Sequence, residues 1–140
     1  MRVVLDTSVV VAGLRSRLGA SFQILQLVSQ RRVVALASPS LFLEYEDVVK
    51  RSEHRLVHGL QLQELDEFLA ALAGLLEPVE VHFRWRPQVR DPKDEMVLEA
   101  TINGQAEALV THNVADFQAA GERFGIPVLK PSELLKKVKS

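Results

Sequence analysis

Val3, Val4 and Leu5 form an unbroken apolar run that stops at the carboxylate of Asp6 and continues as Thr7-Ser8. So short a run, with no polar residue alternating through it, reads as a strand buried on both faces. Such strands belong to sheets covered by helices above and below. A charge cannot share that burial, so Asp6 emerges at the strand's carboxyl end. In an open α/β sheet that end is where ligand sites form. Asp6 therefore either opens a site or, with Ser8, caps the helix that follows. The choice depends on whether other carboxylates converge on it.

The pattern recurs. Val33–Ala37 is a further apolar run, and Ala106–Val110 leads into another buried strand that ends in Thr111-His112-Asn113, followed by Asp116-Phe117. Val79, Val81 and Phe83 alternate with Glu80, His82 and Arg84, as a strand near the sheet edge with one wetter face would. Ile126–Leu129 is a short last strand whose proline also argues for an edge. Helical spacing fills the intervals: Val9–Leu14, Ala20–Gln30, Pro39 to near Arg51, Leu60–Leu76, Pro92 to near Gly104, and Glu133–Lys139. Arg15–Gly19 reads as a loop, and Gly121–Gly125 as a turn after a short helix. Strands alternating with helices predict a three-layer α/β/α sandwich with a central, mostly parallel sheet of about five strands. Right-handed crossovers then bring the carboxyl ends of the strands to one rim. A chain of 140 residues suits a single domain over 1–140.

Composition narrows the chemistry. Apolar residues make up 47% and charged residues 25%, an ordinary globular balance. With no cysteine, thiolate metal sites and disulfides are excluded, and any metal must sit on oxygen or imidazole. No secretion-type leader or membrane-length apolar run is present, which predicts a cytoplasmic protein and no membrane partner. The net charge of −1 does not announce a nucleic-acid binder, so that claim must rest on local patches.

Several residues carry candidate chemistry. In Asp91-Pro92-Lys93-Asp94, Asp91 suits an N-cap, Pro92 the first helical position, and Asp94 the third, where a carboxylate can reach back. Capping explains one of these aspartates but does not require both. In the helix they open, only Glu95, Glu99 and Asn103 form a polar stripe, so it should be largely covered. On the helix after Ser38, Glu44 and Glu46 lie at opposite edges of an apolar arc, and either could turn towards Asp6. Asp6, the Asp91/Asp94 pair and Asp116 fall at or near strand ends. Carboxylates brought together repel unless a cation compensates, and an oxygen-only set suits Mg²⁺ or Mn²⁺. Arg84, Arg86, Arg90 and Lys93, with Trp85 as a stacking face, could hold a phosphodiester backbone. His54 and His58, four apart, have zinc-chelating spacing but lack the rest of a zinc helix, which favours a surface role.

Taken together, "VVLDTSV" at 3–9, "SPSLFLEYEDVV" at 38–49, "RDPKDEMVLEATINGQAEALVTHNVADF" at 90–117 and "IPVLKPSELL" at 126–135 resemble the PIN-domain ribonucleases. The resemblance is specifically to the toxins of type II toxin–antitoxin pairs. It implies a metal-dependent nuclease in which acids hold one or two Mg²⁺ or Mn²⁺ ions that activate water to cut RNA. It assigns Asp6 as the first acid, Glu44 as the second, Asp94 as the third with Asp91 assisting, and Asp116 as the fourth. Thr7, Ser8, Thr111 and Asn113 would orient those ligands. A small antitoxin partner and a homodimer are implied as well. The chain departs from the family at Asn113, where an Asp usually stands two residues after the strand-end Thr. Asn can bind through its amide oxygen but adds no charge, and Asp116 takes its place.

Two other classes fit less of the chain. One is a catalytically silent PIN-like module that binds RNA or a partner, with Asn113 as its mark. The other is a phosphoacceptor signalling domain, which wants an acid adjacent to Asp6 that the chain does not provide.

Overall fold

The central apolar run behaves as its composition demands. In a computed structural model describing residues 1–139, with the side chains of Ser52, Arg55 and Leu56 left aside, Val3 and Val4 are fully buried and Leu5 is 1% exposed. The run forms β1, Arg2–Leu5, the middle strand of a five-stranded sheet. On one side it pairs with β2 (Val34–Ala37), which pairs in turn with β3 (Glu77–Pro78). On the other side it pairs with β4 (Ala108–Val110), followed by β5 (Val128–Leu129). The order is β3-β2-β1-β4-β5 and every pairing is parallel.

Successive residues of a strand point to opposite faces, and each face has its own core. Val4, Leu36 and Leu109 point to one layer, where they meet Tyr45, Leu65, Leu69, Val97 and Phe117. Val3, Leu5, Ala35, Ala108 and Val110 point to the other, against Ile24, Val28 and Leu134. The first layer is built from α3 (Pro39–Val49), α5 (Leu62–Leu75), α6 (Pro92–Asn103) and α7 (Val114–Phe124). The second rests on α2 (Ala20–Ser29) and α8 (Pro131–Lys139). Two short helices complete the set: α1 (Thr7–Arg15), leaving β1, and α4 (Ser52–His58), after α3. This is the expected α/β/α sandwich. No described helix is long and apolar enough to cross a membrane.

Three expectations need correction. The edge strand is not Val79–Phe83: its ladder uses Glu77 and Pro78 and ends where Val79 N donates to Ala37 O at 3.0 Å. Beyond it, the side-chain oxygen of Asn103 accepts from His82 N and Phe83 N, both at 2.9 Å, so a side chain takes the place of a neighbouring strand. The last strand is confined to Val128–Leu129, because Pro127 contributes only its carbonyl, which accepts from Leu109 N. Gly121–Gly125 is not a turn, since α7 runs on to Phe124. Gly121 packs against β5 so closely that a Cβ there would stand 2.7 Å from Val128 Cγ2. Gly125, at φ 67°, supplies the left-handed residue that ends the helix.

Candidate active site at the carboxyl ends of the central strands

The chain runs outward from β1 through β2 to β3, then returns across β1 to β4 and outward again to β5. The strand order therefore reverses between β1 and β4, and a crevice opens beyond the carboxyl ends of those two strands. Leu5 is in register with Val110, so Asp6 and Thr111 lie side by side as the chain leaves the sheet.

Asp6 is 5% exposed and occupies the N-cap position of α1, yet its side chain caps nothing. Its Oδ2 accepts instead from Ser8 Oγ and Thr111 Oγ1, both at 2.7 Å. No donor among the described residues reaches Oδ1. Thr111, fully buried, is held in turn by Leu129 O through its N–H and accepts from Asn113 N at 2.9 Å. Ser8 Oγ also accepts from His112 N at 3.2 Å. Thr7 is the first residue of α1 and Asn113 the exposed N-cap of α7; neither side chain makes a capping bond.

The remaining acids arrive on helix N-termini. Asp91 caps α6 by accepting from Lys93 N at 2.9 Å. Asp94, one turn in, does not reach back to the cap. It lines the same crevice as Asp91 and Asp116, between the first turns of α6 and α7. Partial burial raises the Asp94 carboxyl from its ordinary 3.8 to about 7, with further contributions from the charges of Asp6, Asp91 and Asp116 in that order. Asp6 is the strongest of the charged neighbours, which ties the strand-end acid to the two helices.

Glu44 stands to one side. Its carboxylate is 14% exposed and lies 3.8 Å from Lys93 Nζ, at the start of α6. Glu46 faces away, 3.6 Å from Lys50. The two edges of α3 are thereby distinguished, although Glu44 is absent from the charges acting on Asp94. Among the described residues, no three acidic or imidazole groups stand close enough together to cage one ion. The acids line a crevice rather than close around a point. His58 is used elsewhere, pairing with Val49 O and accepting from Leu60 N.

The basic stretch is organised by the polar stripe of α6. Glu99, 5% exposed, takes both Nε and Nη2 of Arg86 at 2.7 Å. Glu95, 3% exposed, accepts from Gln88 N at 2.6 Å and Val89 N at 3.2 Å. With Asn103 holding His82 and Phe83, residues 82–90 become a strap latched along α6, and its end forms one wall of the crevice. Trp85 stacks on Phe83 and Phe124 at centroid distances of 5.4 and 5.9 Å. Arg84 and Arg90 are exposed, and neither makes an ion pair among the described residues. The latch was not foreseen, though its signal was present: three polar residues at i, i+4 and i+8 on a covered helix must find partners.

Known structures share this architecture. VapBC2 from Rickettsia felis, solved bound to a DNA fragment from their promoter, is 17% identical with a TM-score of 0.60, over 93% of this chain and 98% of that one. VapBC-1 from nontypeable Haemophilus influenzae is 14% identical with a TM-score of 0.62, over 94% of this chain and 99% of that one. At such identities the likeness is one of fold. No curated protein matches by sequence. The family model of the PIN domain matches residues 2–115, a span that includes β1, the strap, α6 and the end of β4. The chain belongs to the PIN-domain family.

Proposed function

We propose that residues 1–140 act as one PIN-like domain, a metal-dependent ribonuclease that hydrolyses RNA phosphodiester bonds as the toxin of a toxin–antitoxin pair. The observation that carries this reading is the convergence of Asp6, Asp91, Asp94 and Asp116 on one rim, where burial first and then the neighbouring charges raise the Asp94 carboxyl to about 7. Carboxylates crowded at this cost mark a site where positive charge is to be received.

The donor set fits Mg²⁺ or Mn²⁺. It consists of oxygens, in a chain without thiolates, and buried Asp6 keeps Oδ1 clear of protein donors. One or two of Asp6, Asp94 and Asp116 would bind the ion directly and the rest through its waters, with Asp91 and Glu44 beside them. An open set suits magnesium, which retains several waters and takes one or two carboxylates together with substrate phosphate. When bound, the cation supplies charge that offsets the phosphodiester and acidifies water. Ser8 and Thr111, by donating to one oxygen of Asp6, fix the direction of the other. Asp94 would be held as its carboxylate with the cation bound. Arg84 and Arg90 remain to meet the RNA backbone, with Lys93 beside Glu44; Arg86 is tied to Glu99.

By the same resemblance the partner is a small antitoxin that covers or enters the acidic crevice, the toxin pairs with a second copy, and both act in the cytoplasm to restrain growth or translation. The VapBC assemblies that share the fold support a protein partner. The test incubates single-stranded RNA with the protein and Mg²⁺ or Mn²⁺. Cleavage by the wild type, stopped by a chelator and lost in Asp6→Asn, is the expected result. Equal cleavage by both proteins rejects Asp6 as a ligand, and no cleavage with either metal rejects the enzyme. One observation favours a second reading, a silent binding module: Asn113 stands uncharged and exposed where the family's toxins carry an acid. RNA binding without metal binding would select it.

A further inference from the structure

We infer that a second cleft, opening from the same rim as the acids, holds the nucleotide next to the scissile phosphodiester. This rests on the ribonuclease reading and names the part of the chain that takes the substrate's neighbouring unit.

The cleft, of about 510 Å³, lies between α1 and the region of α3 and α4. That is a suitable size for one nucleotide. Val11, Ala12 and Val48 make its apolar side, while Arg15, His54 and His112 supply its polar groups. Ser8 joins it to the acids: its Oγ donates to Asp6 Oδ2 and accepts from the backbone of His112.

Two observations point to an anionic, ring-bearing ligand. Arg15, in the last turn of α1, is exposed and makes no ion pair among the described residues. The imidazole of His112 is positioned by a buried group, since its Nε2 lies 2.6 Å from Oγ of Ser21, which is 2% exposed. No partner for Nδ1 exists among the described residues. A guanidinium and an oriented imidazole beside apolar surface match a phosphate with a base lying flat, the chemistry of single-strand binding. The cations on the other side of the acids are partly used, Arg86 on Glu99 and Lys93 near Glu44. A strand crossing the acids from the strap would therefore find its next phosphate contact in this cleft.

The test uses the full chain in an Asp94→Asn background, where substrate survives, and follows a fluorescently labelled single-stranded RNA by anisotropy. Arg15→Gln and His112→Gln should each weaken binding about tenfold, the loss of one charge-assisted hydrogen bond. Arg15→Gln should also lower the slope of log affinity against log salt by about 0.7, one phosphate contact on a single strand. Thermal unfolding of Arg15→Gln should match its parent, and Arg32→Gln, remote from the cleft, should bind as the parent does. Unchanged affinity and slope in both cleft variants would overturn the inference and leave the cleft to a polypeptide ligand. Absence of RNA binding in the parent, together with neither binding nor cleavage of RNA by the wild type in Mg²⁺ or Mn²⁺, would overturn the ribonuclease reading itself, and this inference with it.

Discussion

The electrostatics of the rim concentrate on Asp94. Its carboxyl is raised from 3.8 to about 7, first by burial and then by Asp6, Asp91 and Asp116. The folded pKa lies above the unfolded one, so protonation at Asp94 favours the fold. That contribution is complete below about pH 4 and lost as the pH rises through about 7. In the presence of a chelator, the wild type should lose thermal stability across this window more steeply than Asp94→Asn; parallel calorimetric curves would contradict the cluster. Thr111 tests the neighbouring strand. Thr111→Val keeps the volume but removes the donor to Asp6 Oδ2, and should weaken divalent-metal affinity 10- to 100-fold by titration. Local chemistry was legible here and tertiary chemistry was not. The Asp91 cap is read directly from Asp-Pro, whereas only the structure distinguishes a capping Asp6 from one held by Ser8 and Thr111. The crevice that Asp94 shares with Asp116 depends on α7 standing opposite, which no spacing within α6 reveals.

At the scale of elements, the strap and α6 form one unit. The helix stripe of Glu95, Glu99 and Asn103 binds backbone and guanidinium groups of residues 82–90, and so fixes the wall beside Asp91 and Asp94. Arg86→Ala strands the buried Glu99 carboxylate without its bidentate partner and should cost about 2 kcal/mol in urea unfolding. Arg84→Ala, on an exposed side chain, should stay within about 0.5 kcal/mol of wild type. Equal effects would mean that the latch carries no stability. The alternation at Val79–Phe83 resembles an edge strand because one side is wetter, but the side chain of Asn103 competes with strand pairing for the same donors. Gly121 misled for a related reason. A glycine inside a helix reads as a breaker until the close approach of Val128 supplies its purpose.

For the whole molecule, the alternation of apolar runs and amphipathic helices made the sandwich and its parallel sheet legible. Strand order was not, because the step from β3 back across β1 to β4 leaves no mark in local pattern. Yet that step creates the site: it sets Thr111 beside Asp6 and brings the first turns of α6 and α7 together at the reversal. The crevice lined by Asp91, Asp94 and Asp116 and the second cleft lined by Ser8 share this rim, and Ser8 is bonded to Asp6. On the function proposed above, these carboxylates are one divalent-cation site. A calorimetric titration of Mn²⁺ into the wild type and into Asp6→Asn, near neutral pH in two buffers of different ionisation enthalpy, tests it most directly. Wild type should bind Mn²⁺ and release protons as Asp94 ionises, and Asp6→Asn should bind at least tenfold more weakly. Equal binding by the two proteins, or none by the wild type, would contradict it.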